Sequence, residues 1–212
     1  MTSIATALAS IKKDIGRATL IAVSKTQNVE AIQEALEAGQ RVFGENRVQE
    51  AKRKFATLRA AYPDIELHLI GALQTNKAEE AIKTFDVIQT VDRPELAEAL
   101  KKAITKLKKT PRLYIEVNLG EEPQKSGVAP EGAEALLFFC RNVCGLEISG
   151  LMSIPPYGKA PEPYFERLVA MAEKLGLPHR SIGMSSDYRV AIQKGATEVR
   201  IGTLIFGERT KA

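Results

Sequence analysis

The chain has 212 residues, of which 44% are hydrophobic and 26% are charged, and its formal net charge is +4. This composition is that of an ordinary globular protein, and two cysteines are too few for a disulfide-stabilised miniprotein. Two short basic runs, at residues 50–54 and 106–112, are interpreted as solvated helix faces, because nucleic-acid binding needs a denser basic stripe with exposed aromatic residues.

Residues 1–16 have the pattern of an amphipathic helix and lack the long apolar core of a signal peptide. No apolar run in the chain approaches the length of a membrane span. A cytoplasmic protein without a membrane partner is therefore expected.

Short β-rich runs then alternate with segments in which apolar residues recur every three or four positions. The runs predicted as strands are 19–24, 41–44, 67–71, 86–91, 112–118, 146–152, 180–184 and 198–202. The segments predicted as helices are 28–39, 46–62, 74–85, 93–107, 130–143, 163–176 and 186–195. Several of these helices end in glycine, at Gly39, Gly176 and Gly195, and glycine is favoured just past a helix C-terminus.

A strand followed by a helix, repeated about eight times, predicts an α/β fold with a parallel sheet. Eight such units fit a closed (β/α)₈ TIM barrel, with the N-terminal helix as an addition. A doubly wound open sheet is the alternative. Because no linker or change in composition divides the chain, residues 1–212 are expected to form a single domain.

Four residues with reactive side chains are given structural roles. Cys140 and Cys144 are spaced to share one helix face, and without further ligands they are interpreted as core residues, so no metal site is expected. His68 lies near the start of a strand and is interpreted as a hydrogen-bonded core histidine. His179 follows Gly-Leu-Pro and is predicted to be exposed in a loop.

In a barrel of this kind, function collects at the C-terminal ends of the strands. The polar residues predicted there are Lys25, Asn46, Gln74, Asn76, Lys77, Asn118, Ser153, Ser185, Ser186, Asp187, Arg200 and Thr203.

The last two strand ends combine features of an anion site. Ser185, Ser186 and Asp187 stand where a strand passes into a helix, and helix capping is their simplest interpretation. Gly202 lets a ligand approach the backbone closely, and Thr203 adds a hydroxyl at the start of a short helix, where N–H groups favour anions. The loops after the seventh and eighth strands are the usual phosphate site of this barrel.

A lysine opposite a phosphate site suits pyridoxal 5′-phosphate (PLP), whose aldehyde Lys25 would hold as a Schiff base. A phosphosugar aldolase would use the same two parts, so the residues alone leave both possibilities open. Arg200 shares one side of its strand with Gly202. It is either a cation facing the pyridine nitrogen, which it would keep unprotonated, or the partner of a carboxylate inside the barrel.

Seven motifs together resemble the pyridoxal-phosphate homeostasis proteins (the YggS/PROSC family). They are AVSKT, FGENRVQEA, HLIGALQTNK, VNLGEEPQKSGV, GLMSIPP, GMSSDYRVAI and VRIGTLIFGER, and they occur in this order along nearly the whole chain. The resemblance implies a single barrel like the N-terminal domain of alanine racemase. It also implies PLP on Lys25, with Asn46 near the ring and Arg200 at the ring nitrogen. The implied phosphate contacts are Ser185, Ser186, Gly202 and Thr203.

The same resemblance implies a role in intracellular PLP homeostasis, as a carrier or buffer, with PLP-dependent apoenzymes as recipients and no robust catalytic turnover. The alternative is a PLP-dependent amino-acid racemase or related carbanion enzyme, which needs an acid/base on each face of the ring. Alanine racemase takes its second base from another domain. We expect no such domain here, because the sequence stops at Ala212, and we therefore expect a monomer.

Overall fold

A computed structural model describes residues 3–208, so the outermost ends of the expected single domain, 1–2 and 209–212, lie outside the described residues. Eight parallel strands close into one barrel in the order β1 to β8, with β8 pairing back onto β1. The strands are Thr19–Val23 (β1), Val42–Glu45 (β2), Glu66–Leu69 (β3), Val87–Val91 (β4), Arg112–Glu116 (β5), Ile148–Met152 (β6), His179–Ser181 (β7) and Glu198–Ile201 (β8). The prediction of a closed (β/α)₈ barrel is thus confirmed.

Helices surround the barrel and connect its strands. They are Ile4–Ile15 (α1), Val29–Glu37 (α2), Val48–Ala61 (α3), Ala78–Thr84 (α4), Pro94–Leu107 (α5), Ala133–Phe138 (α6), Glu162–Lys174 (α7), Tyr188–Gln193 (α8) and Thr203–Phe206 (α9). No helix within residues 3–208 is long and apolar enough to cross a bilayer. The three glycines predicted to follow helices, Gly39, Gly176 and Gly195, all have positive φ, which a residue without Cβ adopts at little cost.

The hydrophobic core lies between the strands and the surrounding helices. Each strand sends alternate residues outward to this layer, as Leu20 and Ala22 of β1 do, and the helices meet them with residues such as Ile32 and Phe55. Cys140 and Cys144 are buried in the same layer, as predicted.

The barrel interior, by contrast, is strongly polar. Tyr114 donates a hydrogen bond to Glu198 (2.5 Å), and Gln89 Nε2 donates to the second oxygen of that carboxylate (2.9 Å). Gln89 also lies 2.9 Å from His68 Nδ1 and accepts a hydrogen bond from Ser181 (2.7 Å). His68 is therefore the hydrogen-bonded core histidine that the sequence predicted.

The prediction for His179 is wrong. This residue begins β7 and is half-buried; its ring stacks on Tyr114 with centroids 5.4 Å apart, and its Nδ1 lies 3.4 Å from Glu198 Oε1. A local pattern around Gly-Leu-Pro could not show that the closure of the barrel brings a tyrosine against this ring.

Because the Tyr114 hydroxyl is buried and bonded to a buried carboxylate, its removal should destabilise the fold. We expect Tyr114→Phe to lower the free energy of unfolding by about 1–3 kcal/mol, since Glu198 would lose a buried donor. The measurement is urea unfolding. Tyr157 is 99% exposed, so Tyr157→Phe is the matched control and should change stability by less than about 0.5 kcal/mol; equal effects of the two variants would contradict this role of the network.

Candidate functional site

The C-terminal ends of β1, β2, β7 and β8 meet around one cavity of about 480 Å³. Its lining residues are Val23, Lys25, Asn46, Ile70, Ile154, Met184, Ser185, Ser186, Arg200, Gly202, Thr203 and Leu204. All seven residues that the sequence selected as cofactor contacts are among them. The volume lies within the usual range for small-molecule sites.

Lys25 reaches this cavity because of its position after β1. Val23, the last residue of the strand, lines the cavity, and Lys25 follows it by two residues and so shares its side of the chain. Ser24, between them, points the other way and donates a hydrogen bond to Glu45 (2.7 Å). Thr26 then adopts a φ of 66°, a left-handed conformation that costs a non-glycine residue roughly 1–3 kcal/mol.

Asn46 is held at the rim by a close approach between two loops. A Cβ on Gly71 would lie 2.4 Å from the Asn46 carbonyl oxygen and 2.8 Å from its Cα. The loop after β3 can therefore pass Asn46 only with glycine at this position.

Ser185 and Ser186 occupy a tight turn between β7 and α8. Gly183 precedes them with a φ of 94°, and a Cβ there would lie 2.6 Å from the Ala191 Cβ. Asp187 closes the turn, since its Oδ1 accepts a hydrogen bond from the Met184 N–H (2.6 Å). Of the three residues interpreted as helix caps, Asp187 is the residue immediately before α8, and Ser185 and Ser186 line the cavity.

Gly202 and Thr203 form the second turn at the cavity. A Cβ on Gly202 would lie 3.1 Å from the Val23 carbonyl oxygen, so little space exists for a side chain. The short helix α9 starts at Thr203, and its first backbone hydrogen bonds run from Ile205 and Phe206 back to Gly202. The N–H groups of Thr203 and Leu204 precede these donors, where a helix leaves N–H groups without intrahelical partners.

Arg200 is fixed in the wall of the cavity by three hydrogen bonds. Its guanidinium donates to the Ser181 carbonyl (2.6 Å), the Ser181 hydroxyl (2.8 Å) and the Ser153 carbonyl (2.9 Å). These bonds use three of its five N–H donors. Burial lowers the pKa of Arg200 to about 10, so it remains a cation at neutral pH.

The interpretation of Arg200 as the partner of a carboxylate in the barrel finds no direct contact in residues 3–208, because its side-chain hydrogen bonds there go to serine atoms. Glu116 nevertheless acts on it through space. This carboxyl is 8% exposed and its Oε2 has no hydrogen-bond partner among the described residues. Burial, with the nearby Asp92 charge, raises the pKa of Glu116 to about 7.

Sequence reasoning missed the apolar part of the cavity lining. The apolar lining residues are Val23, Ile70, Ile154, Met184 and Leu204. Ile70 directly follows β3, and each of the other four lies within two residues of a polar residue that the sequence predicted at a strand end. Alternation from Lys25 back to Val23 could have found one of them, whereas the others depend on loop paths.

The remaining strand-end candidates lie elsewhere. Gln74 and Lys77 line a larger neighbouring groove of about 690 Å³, which also includes Arg47 and Arg53 and meets the cavity at Asn46. Asn118 is bonded within its own loop, where its Nδ2 donates to the Glu122 carbonyl (2.9 Å).

Three tyrosines in the segments that follow β6 and β7 do not line the cavity. Tyr157 is 99% exposed, and Tyr164 packs on the hydrophobic core. The Tyr188 hydroxyl donates to Asp14 (2.7 Å). Within the described part of the chain, the cavity lining contains one amine and one guanidinium but no carboxylate, imidazole or phenol.

The interpretation of residues 50–54 as a solvated helix face is also wrong for one residue. The Lys54 side chain is 4% exposed and lies 2.8 Å from Glu45, whose side chain is fully buried. Lys54 Nζ also donates to the Ser24 carbonyl (2.7 Å). This lysine therefore packs behind the segment that carries Lys25.

The chain belongs to the class of proteins that carry an alanine racemase N-terminal domain. The family model described as "Alanine racemase, N-terminal domain" matches residues 1–210. Clostridium difficile alanine racemase shares this fold with a TM-score of 0.72 at 15% identity, over 99% of this chain and 56% of that one. That likeness concerns the fold alone.

Within this class, the chain belongs to the pyridoxal phosphate homeostasis protein family. It is 43% identical to the member from Aquifex aeolicus over 91% of this chain and 87% of that protein. It is 39% identical to the member from Vibrio cholerae, over 94% and 91%. PipY of Synechococcus elongatus PCC7942, solved with PLP bound, superposes with a TM-score of 0.89 at 39% identity, over 97% of this chain and all of that one. The PLP-free form of PipY gives 0.91 at 41% identity over the same shares.

The raised pKa of Glu116 makes a prediction about the pH dependence of stability. An unfolded glutamate loses its proton near pH 4.5, whereas the folded one keeps it to about pH 7. The folded state therefore binds more protons between these values, and this group makes stability fall as pH rises through that window.

We expect Glu116→Gln to remove this dependence. The unfolding free energy of the variant minus that of the parent chain should rise between pH 4.5 and pH 7, by at most about 3 kcal/mol. Above pH 7 this difference should stay constant. Urea unfolding at a series of pH values measures the difference. Glu147→Gln, at an exposed position, is the control; a parallel pH profile for both variants would contradict the prediction.

Proposed function

We propose that this chain binds pyridoxal 5′-phosphate and holds its aldehyde as a Schiff base on Lys25, acting as a carrier or buffer in PLP homeostasis. The observation that supports it most strongly is that Lys25 lines one cavity with the Ser185–Ser186 turn and the Gly202–Thr203 turn. An aldehyde and a phosphate on one small ring need such a pair of features. The PLP in the PipY structure and the name of the curated relatives support the same proposal.

The residues present fit this cofactor. The space that a Cβ on Gly202 would occupy lies at the turn proposed for the phosphate, and the hydroxyls of Ser185, Ser186 and Thr203 can donate to phosphate oxygens. Asn46 stands at the rim as a contact to the ring. PLP bound in this way supplies a reactive aldehyde and an electron-withdrawing ring.

Arg200 is proposed to face the pyridine nitrogen. A guanidinium held by Ser181 and Ser153 cannot accept a hydrogen bond, so this contact would leave the nitrogen unprotonated and weaken the ring as an electron sink. Such an environment suits retention of the aldehyde better than carbanion chemistry. Transfer to PLP-dependent apoenzymes, a cytoplasmic location and a monomeric state stay predictions from the sequence.

The test is to incubate the protein with PLP, reduce with borohydride and map the modified peptide by mass spectrometry. We expect a yellow protein and a single stable adduct on Lys25. Lys25→Ala should lose the yellow absorbance and bind PLP at least about tenfold more weakly, since only the phosphate and ring contacts remain.

Lys77→Ala is the control for that experiment, because Lys77 lines the neighbouring groove and not the cavity. It should keep both the absorbance and the adduct. An adduct on another lysine, or a yellow Lys25→Ala protein, would contradict the proposed role of Lys25. A colourless parent protein that forms adducts with phosphosugars would favour the aldolase alternative.

A further inference from the structure

The segment that carries Lys25 is bonded on both sides to charged residues that do not line the cavity: Lys54 and Glu45 are buried, and Glu50 is partly buried. On its N-terminal side, the Ser24 carbonyl accepts hydrogen bonds from Lys54 Nζ (2.7 Å) and from the Gln27 N–H (3.0 Å). The Ser24 hydroxyl donates to Glu45 (2.7 Å), which pairs with Lys54 at 2.8 Å. The residue before Lys25 is thus fixed through both its backbone and its side chain.

On its C-terminal side, the Thr26 N–H donates to Glu50 Oε1 at 2.6 Å. The same oxygen lies 2.8 Å from Lys54 Nζ. Thr26 is exposed and has a φ of 66°, a conformation that a β-branched residue seldom adopts. Among the described residues its hydroxyl bonds to the adjacent Lys25 carbonyl, and the bond from its N–H to Glu50 ties this strained residue to α3.

One lysine therefore connects both ends of the segment. Lys54 and Glu50 lie four residues apart on α3, one helical turn, while Glu45 is the last residue of β2. Burial raises the pKa of Glu45, and the hydrogen bond from Lys54 opposes that rise. For Glu50, burial also acts to raise the pKa, but the bonds from Lys54 and Thr26 outweigh it and leave the pKa lowered.

A buried ion pair of this kind contributes little net stability compared with apolar residues of similar size. Glu45 Oε2 even lacks a hydrogen-bond partner among the residues described. Hydrogen bonds of this cluster nevertheless run to the two residues that flank Lys25. We propose that Lys54, Glu45 and Glu50 form a clamp whose function is to position the Lys25 amine in the cavity.

This inference rests on the proposed function, because a fixed position of the Lys25 amine matters only if that amine reacts with a bound aldehyde. The clamp can still be tested without PLP, so a failure of the clamp can be distinguished from a failure of the proposed PLP-binding function. Glu50→Ala is the informative variant, since the Glu50 side chain is 18% exposed and its loss leaves the Lys54–Glu45 pair in place. Glu50→Gln keeps an oxygen acceptor for Thr26 and is the conservative variant.

Two measurements on the PLP-free protein report on the clamp. Amide hydrogen exchange of Thr26, followed by NMR, should accelerate about tenfold or more in Glu50→Ala, because the N–H loses its carboxylate acceptor. The pH profile of Lys25 acylation by acetic anhydride, mapped by mass spectrometry, should shift its midpoint in Glu50→Ala. Both quantities should return most of the way to parent values in Glu50→Gln.

Arg59→Met is the matched control, because Arg59 lies on the same helix and pairs with Asp86, which immediately precedes β4 at the opposite end of the barrel. It should leave Thr26 exchange and the Lys25 profile unchanged. The double variant Lys54→Met/Glu45→Gln removes both buried charges together, so it avoids an unpaired charge, and it should shift the Lys25 profile as Glu50→Ala does.

An unchanged profile and unchanged Thr26 exchange in Glu50→Ala would overturn the clamp, as would an equal shift in Arg59→Met. With PLP, Glu50→Ala should capture the cofactor about tenfold more slowly than the parent. If the parent forms no Lys25 adduct while the PLP-free measurements follow the expected pattern, the clamp stands and the proposed cofactor role falls.

Discussion

The pairing of β8 with β1 is the constraint on which the site depends. Ala22 lies opposite Ile201 in this closure, so the residues that follow the two strands emerge side by side although about 175 positions separate them. Lys25 continues from one strand and Gly202 from the other. A Cβ on Gly202 would contact the Val23 carbonyl, which shows how closely the two strand ends approach. An open sheet would leave β1 and β8 apart and would place the amine and the glycine turn in different surroundings.

The barrel interior supports this closure with hydrogen bonds, where many barrels use branched apolar side chains. A continuous path runs from Glu198 through Gln89 to Ser181 and from there to Arg200. Each polar atom on this path is buried, so leaving any of them unpaired would be costly. The path therefore fixes the guanidinium without a direct carboxylate partner, and it keeps a full positive charge next to the cavity. Apolar filling would pack the barrel equally well but could not orient a cation.

Much of the fold could be predicted from the sequence because its signals are local. Short β-rich runs located the eight strands to within a few residues, and their repetition with helices indicated the barrel. The candidate site could also be predicted, since parallel strands bring their C-terminal ends together and Lys25, Ser185 and Gly202 follow such ends within a few residues. The predictions that were wrong concern residues whose surroundings are set by contacts between distant segments. His179 meets Tyr114 only across the closed barrel, and Lys54, in a run that looks like a solvated face, turns inward only because β2 places Glu45 behind it.

The same geometry bears on what the cavity can do. Moving a proton on and off both faces of a bound amino acid requires two groups that change their protonation near neutral pH. Among the described lining residues, Lys25 carries the one amine. Arg200 remains charged, and the serine, threonine and asparagine side chains do not ionise in this range. Lys25 lines the same cavity as the fixed guanidinium of Arg200 and the turns at Ser185–Ser186 and Gly202–Thr203. This arrangement supports the proposal that an aldehyde is captured at Lys25 and released by reversal of the same bond.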